Sequence, residues 1–240
     1  MAHDELRAKV ATACRVLGAR QLVDGVLGHV SARAGEGMLI RCRGPRERGV
    51  ARTEPADVRL ADLAEGRHLE PGGGWDVPKE WPIHAALYQA RPEVGAVVHA
   101  HPRAAVICSL AGLAPRPVIG SYNMPALRTA LDGVPTYPRA ILISRLELAR
   151  EMLDAMGASR VCVLYGHGIT AAGETVEQAT VAALNLTELL SLIVTLAQLA
   201  ASPPPLPAAD LAELPDLGSR LNDQLTWQSL VAELGSEPGA

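Results

Sequence analysis

Two histidines close an apolar run in the middle of the chain, and this feature constrains the fold more than any other. Residues 97–102 read VVHAHP. Side chains two residues apart on a β-strand point to the same face of the sheet, so a strand here places His99 and His101 side by side. The segment predicts a buried strand whose end delivers two imidazoles to one point.

A third histidine occupies a similar position much later in the chain. The apolar run 161–165 meets His167 between two glycines, and Glu80 lies upstream of the first pair. Three neutral imidazoles are a set that catalytic metal sites use, with one position open for water or substrate. The four residues indicate a metal site if they meet, whereas a His-x-His pair by itself is also found in surface or hydrogen-bonded histidines.

Composition places the chain among soluble globular proteins. Its 240 residues suit one sizeable domain, with 48% hydrophobic and 20% charged residues and a formal net charge of −4. No basic stripe is interleaved with aromatic residues, so we expect no nucleic-acid partner. Four cysteines without a Cys-x-x-Cys pair predict reduced thiols, and the charged N-terminus has no signal-peptide core, which favours a cytoplasmic protein.

The order of the periodic segments predicts an α/β fold. The helices that apolar spacing predicts are 3–20, 82–89, 104–110, 146–156, 176–201 and 219–234. The predicted strands are 26–32, 38–42, 58–63, 94–99, 140–143 and 161–165. A hairpin turn at 34–37 favours antiparallel pairing, and no Gly-rich phosphate loop joins a strand to a helix. The apolar stretch 179–201 carries polar residues, so we interpret it as a buried or intersubunit helix and expect no membrane association.

Taken in order, the motifs resemble the class II aldolase and adducin family. The segments that carry the resemblance are Gly28-His29-Val30-Ser31-Ala32-Arg33, Glu80, His84-x-x-Leu87-Tyr88-x-x-Arg91-Pro92, His99-Ala100-His101-Pro102 and Gly166-His167-Gly168. The resemblance covers residues 5–200. It implies one domain, a three-layer α/β/α sandwich around a mainly antiparallel central sheet. We therefore expect a family domain at 1–202 and, at 203–240, a Pro-rich linker with a C-terminal helix.

The resemblance also implies a site and an assembly. In such enzymes three histidines, here His99, His101 and His167, bind a divalent metal ion, and the glutamate at the position of Glu80 acts as acid or base. The metal is zinc, manganese or iron, which a three-histidine set does not distinguish. The family further implies a homotetramer whose active sites lie at subunit interfaces.

Departures from the sugar-phosphate aldolases of the family favour a carboxylate substrate. His29 replaces an asparagine, and Arg41 and Arg43 stand where those enzymes have a serine-rich turn. Pro78 and Lys79 replace the paired serines before the glutamate. Arginine binds planar carboxylates through two parallel hydrogen bonds. The chain thus resembles the family's decarboxylases of hydroxyaromatic ortho-dicarboxylates, such as 3,4-dihydroxyphthalate, with Arg41, Arg43 and Lys79 as substrate-binding residues.

The expected reaction is loss of one carboxylate as carbon dioxide, after which Glu80 or His29 protonates the ring carbon. Three alternatives stay open: an aldolase of sugar phosphates or hydroxy acids, an iron-dependent oxygenase of hydroxyaromatic acids, and a non-catalytic assembly protein, against which the intact histidine set argues. His84 lies four residues before Tyr88 on a predicted helix, and we expect it to make a structural hydrogen bond rather than to face the site.

Overall fold

A seven-stranded sheet lies at the centre of the computed structural model, which describes residues 2–71 and 73–235. The strands are β1 (His29–Ala34), β2 (Gly37–Arg41), β3 (Val58–Asp62), β4 (Ala96–Ala100), β5 (Thr136–Tyr137), β6 (Val161–Leu164) and β7 (Gly168–Gly173). Their order across the sheet is β3-β2-β1-β4-β7-β6-β5. Neighbouring strands are antiparallel except β5 and β6, which confirms the mainly antiparallel sheet.

Helices cover both faces of this sheet. In the described residues they are α1 (Ala2–Ala19), α2 (Trp81–Ala90), α3 (Arg103–Leu110), α4 (Met124–Leu131), α5 (Leu146–Met156), α6 (Val176–Gln198), α7 (Ala208–Glu213) and α8 (Thr226–Leu234). Strand residues alternate between two cores: Val98 packs with α1, α3, α4 and α6, whereas Val97 packs with α2 and α5. The predicted three-layer α/β/α sandwich is confirmed.

The long helix α6 is a core element of the sandwich. Its length and its mean hydropathy of 1.7 would suffice for a helix that crosses a membrane. Half of its most apolar stretch, however, is buried inside the fold. Thr175 caps its start by accepting a hydrogen bond from the Gln178 amide at 3.2 Å. Gly173 lets the helix approach β7, because a Cβ there would lie 2.6 Å from the Ala179 nitrogen. Its apolar length therefore serves packing on the sheet.

The structure departs from the predicted elements in three places. Residues 140–143 are not a strand, because the Ile143 amide donates its hydrogen bond to the side chain of Glu80 at 3.2 Å and not to a neighbouring strand. Residues 168–173, for which no element was predicted, form β7, where Ile169 and Thr170 are β-branched but the other four residues are glycine or alanine. Helix α4 was also missed, although Asn123 caps it and Pro125 follows at its start.

The C-terminal segment folds back on the sandwich. After the proline run at 203–205 come α7, a π-helical turn over Arg220–Leu225 and α8, so a helix is present within the predicted 219–234. Leu230 of α8 packs against Val16 and Val181, and Glu233 forms a 2.6 Å ion pair with Arg20. The family-domain boundary at 202 stays a prediction.

Candidate metal centre

Two adjacent strand ends position the three histidines of the candidate metal centre. His99 lies on β4, and His101 follows the last residue of that strand. His167 lies in the turn that joins β6 to β7, where its amide donates to the Leu164 carbonyl at 3.0 Å. The turn needs Gly166, whose φ of 62° lies in the left-handed region. Since β4 and β7 are paired, the turn brings His167 beside the other two histidines.

The structure brings together all four residues that the sequence singled out as ligands or acid/base. Their candidate ligand atoms lie within 4.8 Å of one another. The Nε2 atoms of His99 and His101 are 2.8 Å apart. Glu80 places Oε2 at 3.3 Å from Nε2 of His99 and at 3.5 Å from Nε2 of His167. Three nitrogens and one carboxylate oxygen thus surround one point.

The hydrogen bonding of His99 shows that this donor set fits a cation. Its Nδ1 donates to the Ile169 carbonyl at 3.0 Å, which leaves Nε2 as the ring nitrogen turned toward the cluster and able to bind a cation. Burial, with the nearby His99 and His167, lowers the pKa of His101 to about 3, so the His101 ring is neutral near pH 7. Lone pairs and a carboxylate facing one another at hydrogen-bond distance are stabilised by a shared metal ion.

Glu80 is held at the start of α2 and turned into the cluster. Its side chain makes no capping bond to the helix, and Oε1 instead accepts the Ile143 amide at 3.2 Å. Burial by itself would raise its pKa, but the neighbouring His167 and His99 side chains outweigh burial and hold the pKa of the carboxyl well below its usual range. Glu80 is therefore an ionised group, suited to binding a metal ion.

His29 joins the cluster to a buried row of polar side chains. It lies opposite His99 in the register of β1 and β4, and its ring centroid is 5.0 Å from that of His99. Its Nδ1 is 2.7 Å from Nε2 of His84. Burial first, and the neighbouring His84 second, lower the pKa of His29 well below its usual value. His29 is thus a neutral imidazole at the edge of the candidate centre.

His84 makes the structural hydrogen bonds expected of it, and its partners extend the row. Its Nδ1 is 2.6 Å from the Ser31 hydroxyl, which in turn is 2.7 Å from the Tyr88 hydroxyl. Ser31 and Tyr88 were not predicted from the sequence to belong to such a row. The available signal was spacing: Ser31 follows His29 by two on a strand, and Tyr88 follows His84 by four on a helix.

The three predicted substrate-binding cations lie in different surroundings. Arg41 is buried, forms an ion pair with Glu47 and is paired in register with Val58, which belongs to the core under α1. It therefore lies on the sheet face opposite the histidines, which occupy the face of Val97. The structure does not bring Arg41 to the cluster, and its contact with substrate stays a prediction.

Arg43 and Lys79 lie along the segment that leads into Glu80. The backbone of Arg43 pairs with Asp76 through two hydrogen bonds, of 3.0 and 2.8 Å. Its Nε is buried and has no hydrogen-bond partner within the described residues. Lys79 is exposed, next to Glu80. Arg43 thus has unused hydrogen-bonding capacity at its bridge to Asp76, four residues before Glu80.

Comparison with known proteins finds similar proteins over almost the whole chain. The chain is 46% identical over 242 residues to the 3,4-dihydroxyphthalate decarboxylase of Arthrobacter keyseri, a match that covers 98% of this chain and 96% of that protein. It is 47% identical over 232 residues to the 3,4-dihydroxyphthalate decarboxylase of Terrabacter sp. (strain DBF63), covering 95% and 97%. Both matches run through the whole sandwich and the C-terminal segment.

The fold also matches solved structures. An aldolase II superfamily protein from Pseudomonas syringae superimposes with a TM-score of 0.78 over 97% of this chain and 92% of that chain, at 23% identity, which bears on the fold alone. The family model described as class II aldolase and adducin N-terminal domain matches residues 8–194. The chain belongs to the class II aldolase and adducin family.

Proposed function

We propose that the protein is a metal-dependent, non-oxidative decarboxylase of a hydroxyaromatic ortho-dicarboxylate such as 3,4-dihydroxyphthalate. The observation that carries the proposal is its identity of 46–47%, over at least 95% of the chain, with two 3,4-dihydroxyphthalate decarboxylases. The convergence of Glu80 with three histidines supports it, because this chemistry needs a cation beside the bond that breaks. The protein is then a carbon–carbon lyase of the carboxy-lyase type.

A divalent ion, zinc, manganese or iron, is assigned to His99, His101 and His167, with Glu80 as a fourth available ligand. The shared point between their ligand atoms and the orientation of His99 by the Ile169 carbonyl support this assignment. When bound, such an ion would hold adjacent oxygens of the substrate and stabilise the negative charge that develops as the carboxylate leaves.

Glu80 is assigned the proton transfers. As an ionised carboxylate it accepts the proton of a ring hydroxyl. The bond between the ring carbon and the departing carboxylate then breaks, its electron pair stays with the ring, and carbon dioxide leaves. Glu80 returns the proton to that ring carbon, and water later reprotonates the ring oxygen. His29, whose ring lies next to that of His99, is the second catalytic candidate. Its proposed role is to contact an oxygen of the substrate.

Arg43 is proposed to bind the carboxylate that stays on the ring. Its buried Nε without a partner in the described residues supports this role, because an unpaired guanidinium nitrogen gains most from an anion. Lys79, exposed beside Glu80, adds a positive charge that attracts a dianionic substrate. Arg41 also has a buried Nε without a partner in the described residues, but its Nη2 is paired with Glu47, so Arg41 is assigned to holding the loop after β2.

We also propose a cytoplasmic homotetramer with active sites at subunit interfaces. Large apolar side chains left exposed in the single chain support association; Tyr122 is 75% exposed and Leu110 58% exposed. The four cysteines are buried free thiols, which supports a reducing compartment. Sedimentation of the purified protein measures the assembly directly.

The test is to follow carbon dioxide release and oxygen uptake in one vessel, with metal-loaded protein and 3,4-dihydroxyphthalate. Release without oxygen uptake supports the proposal. Oxygen uptake in step with turnover overturns it in favour of an oxygenase. No release, together with cleavage of a sugar phosphate by the same preparation, overturns it in favour of an aldolase.

A further inference from the structure

The row of buried side chains behind the candidate centre contains a complete set of hydrogen-bond partners. His29, His84, Ser31 and Tyr88 are each at most 3% exposed. The three contacts along the row measure 2.7, 2.6 and 2.7 Å. One end is the Tyr88 hydroxyl, deep under α2, and the other is His29, next to His99. The protons of such a row can point in only two directions.

One direction satisfies every proton of the row except the Nε2–H of His29, which lies at the end of the row next to His99. The Tyr88 hydroxyl donates to Ser31, Ser31 donates to Nδ1 of His84, and Nε2–H of His84 donates to Nδ1 of His29. In the other direction His29 and His84 donate inward from Nδ1, and the Tyr88 hydroxyl accepts from Ser31. Its own proton is then left without an acceptor within the described residues, and an unsatisfied buried donor is costly.

The favoured direction decides what His29 presents to the cluster. With Nδ1 accepting from His84, the proton of the neutral ring resides on Nε2. Within the described residues no hydrogen bond is made by this Nε2, so it is available to a bound molecule. The ring lies 5.0 Å from that of His99 and opposite it in the sheet. An N–H donor therefore stands at the edge of the histidine cluster, where it could contact an oxygen of a bound substrate.

We propose that His84, Ser31 and Tyr88 are positioning residues that hold His29 as an Nε2–H donor to an anionic oxygen of the substrate. This inference rests on the proposed function for the identity of the substrate, a hydroxyaromatic dicarboxylate. The inference adds that the row favours a substrate that places a hydrogen-bond acceptor oxygen next to Nε2 of His29. A substrate that places a hydrogen-bond donor at that position is disfavoured. No proton is transferred along the row.

The first test measures the tautomers directly. Long-range proton–nitrogen correlation spectra of zinc-loaded protein, labelled with ¹⁵N in histidine, separate Nε2–H from Nδ1–H rings. Signals are assigned by their loss in His29→Gln and His84→Gln. The expected result is Nε2–H for both His29 and His84. Nδ1–H at His29 in the wild-type protein would overturn the inference.

The second test uses a pair of substitutions at His84. Gln keeps a donor toward His29 and an acceptor toward Ser31, whereas Leu fills the same buried space without either. We expect His84→Leu to raise KM about tenfold, since a hydrogen bond to a charged group contributes about that much to binding. In His84→Gln we expect KM to lie within about threefold of the wild-type value. A purely structural role predicts the reverse order, because buried Leu stabilises at least as well as buried Gln.

The outcomes separate this inference from the proposed function. If carbon dioxide is released but His84→Leu keeps the wild-type KM, or His84→Gln is as impaired as His84→Leu, the positioning role is wrong and the decarboxylase stands. If no carbon dioxide is released while the spectra show Nε2–H at both rings, the proposed function fails and the direction of the row stands.

Discussion

Gly168 offers the sharpest test of the geometry of the centre. It follows His167 and begins β7, and a Cβ at this position would lie 2.2 Å from the Ala100 carbonyl oxygen and 2.9 Å from Cδ2 of His101. Non-bonded atoms make contact at about 3.5 Å. Gly168→Ala must therefore part the ends of β4 and β7 by roughly 1 Å. The displaced residues include two of the three histidines.

This displacement has two separable consequences. Overpacking of this kind costs about 1–3 kcal/mol of folding free energy. Metal–ligand distances tolerate only about 0.2 Å, so a shift of His101 or His167 removes a ligand bond. We expect Gly168→Ala to weaken zinc or manganese binding at least about 100-fold, the upper range for disturbing the surroundings of a metal ligand.

The same strand pair provides the matched control. A Cβ on Gly95 would lie 2.1 Å from the Glu174 carbonyl oxygen, at the opposite end of β4 and β7. Gly95→Ala should lower stability by a similar amount and leave the metal affinity unchanged. Denaturant unfolding and competition with a chromophoric chelator measure the two quantities. Metal affinity in Gly168→Ala within threefold of wild type, or an equal loss in Gly95→Ala, would refute the reasoning.

Three further predictions concern single side chains. Glu80→Gln keeps an acceptor for the Ile143 amide but lacks the base, so carbon dioxide release should fall about 10²–10⁴-fold in a folded protein; unchanged turnover contradicts the assigned role. Arg43→Met should raise KM for the dicarboxylate about tenfold or more, whereas exposed Arg46→Met should not; equal KM values for both variants and wild type count against the carboxylate contact. Burial lowers the pKa of His84 to about 3, against about 6.5 in the unfolded chain. The unfolded state then binds more protons between these values, so stability is full above pH 6.5 and falls toward pH 3, by up to about 1.4 kcal/mol per pH unit. Denaturant unfolding at several pH values should show a shallower slope in His84→Gln; an identical slope would contradict this origin.

Local spacing predicted only a pair of adjacent histidines and a third at a similar strand end, and the resemblance to the family joined them with Glu80 as one centre. His99 and His101 needed only the two-residue period of a strand end, and the run before His167 needed only its apolar residues and the glycines of the turn. Strand β7 could not be predicted in the same way. Its small residues allow α6 to approach closely at Gly173, and the contact between α6 and β7 exists only in the folded protein.

Other features depend on contacts between residues that are far apart in the sequence, and local patterns do not reveal those contacts. The spacing of Arg41 and Arg43 gave them one face of a strand, but only the packing of Val58 under α1 shows which face Arg41 takes. The Ile143 amide is held by Glu80, 63 residues earlier, so an apolar run that looked like a strand became a support for the centre. Ser31 and Tyr88 meet through His84 for the same reason.

The central claim is that a metal ion held by the histidine cluster drives decarboxylation, and stoichiometry tests it most directly. Chelator-treated protein would receive increasing amounts of metal, and release of labelled carbon dioxide from carboxyl-labelled 3,4-dihydroxyphthalate would be followed at each step. We expect release to rise with added metal and to level off near one ion per chain, while His101→Ala stays at the background rate. Full release from the metal-free protein, or from His101→Ala, would contradict the account.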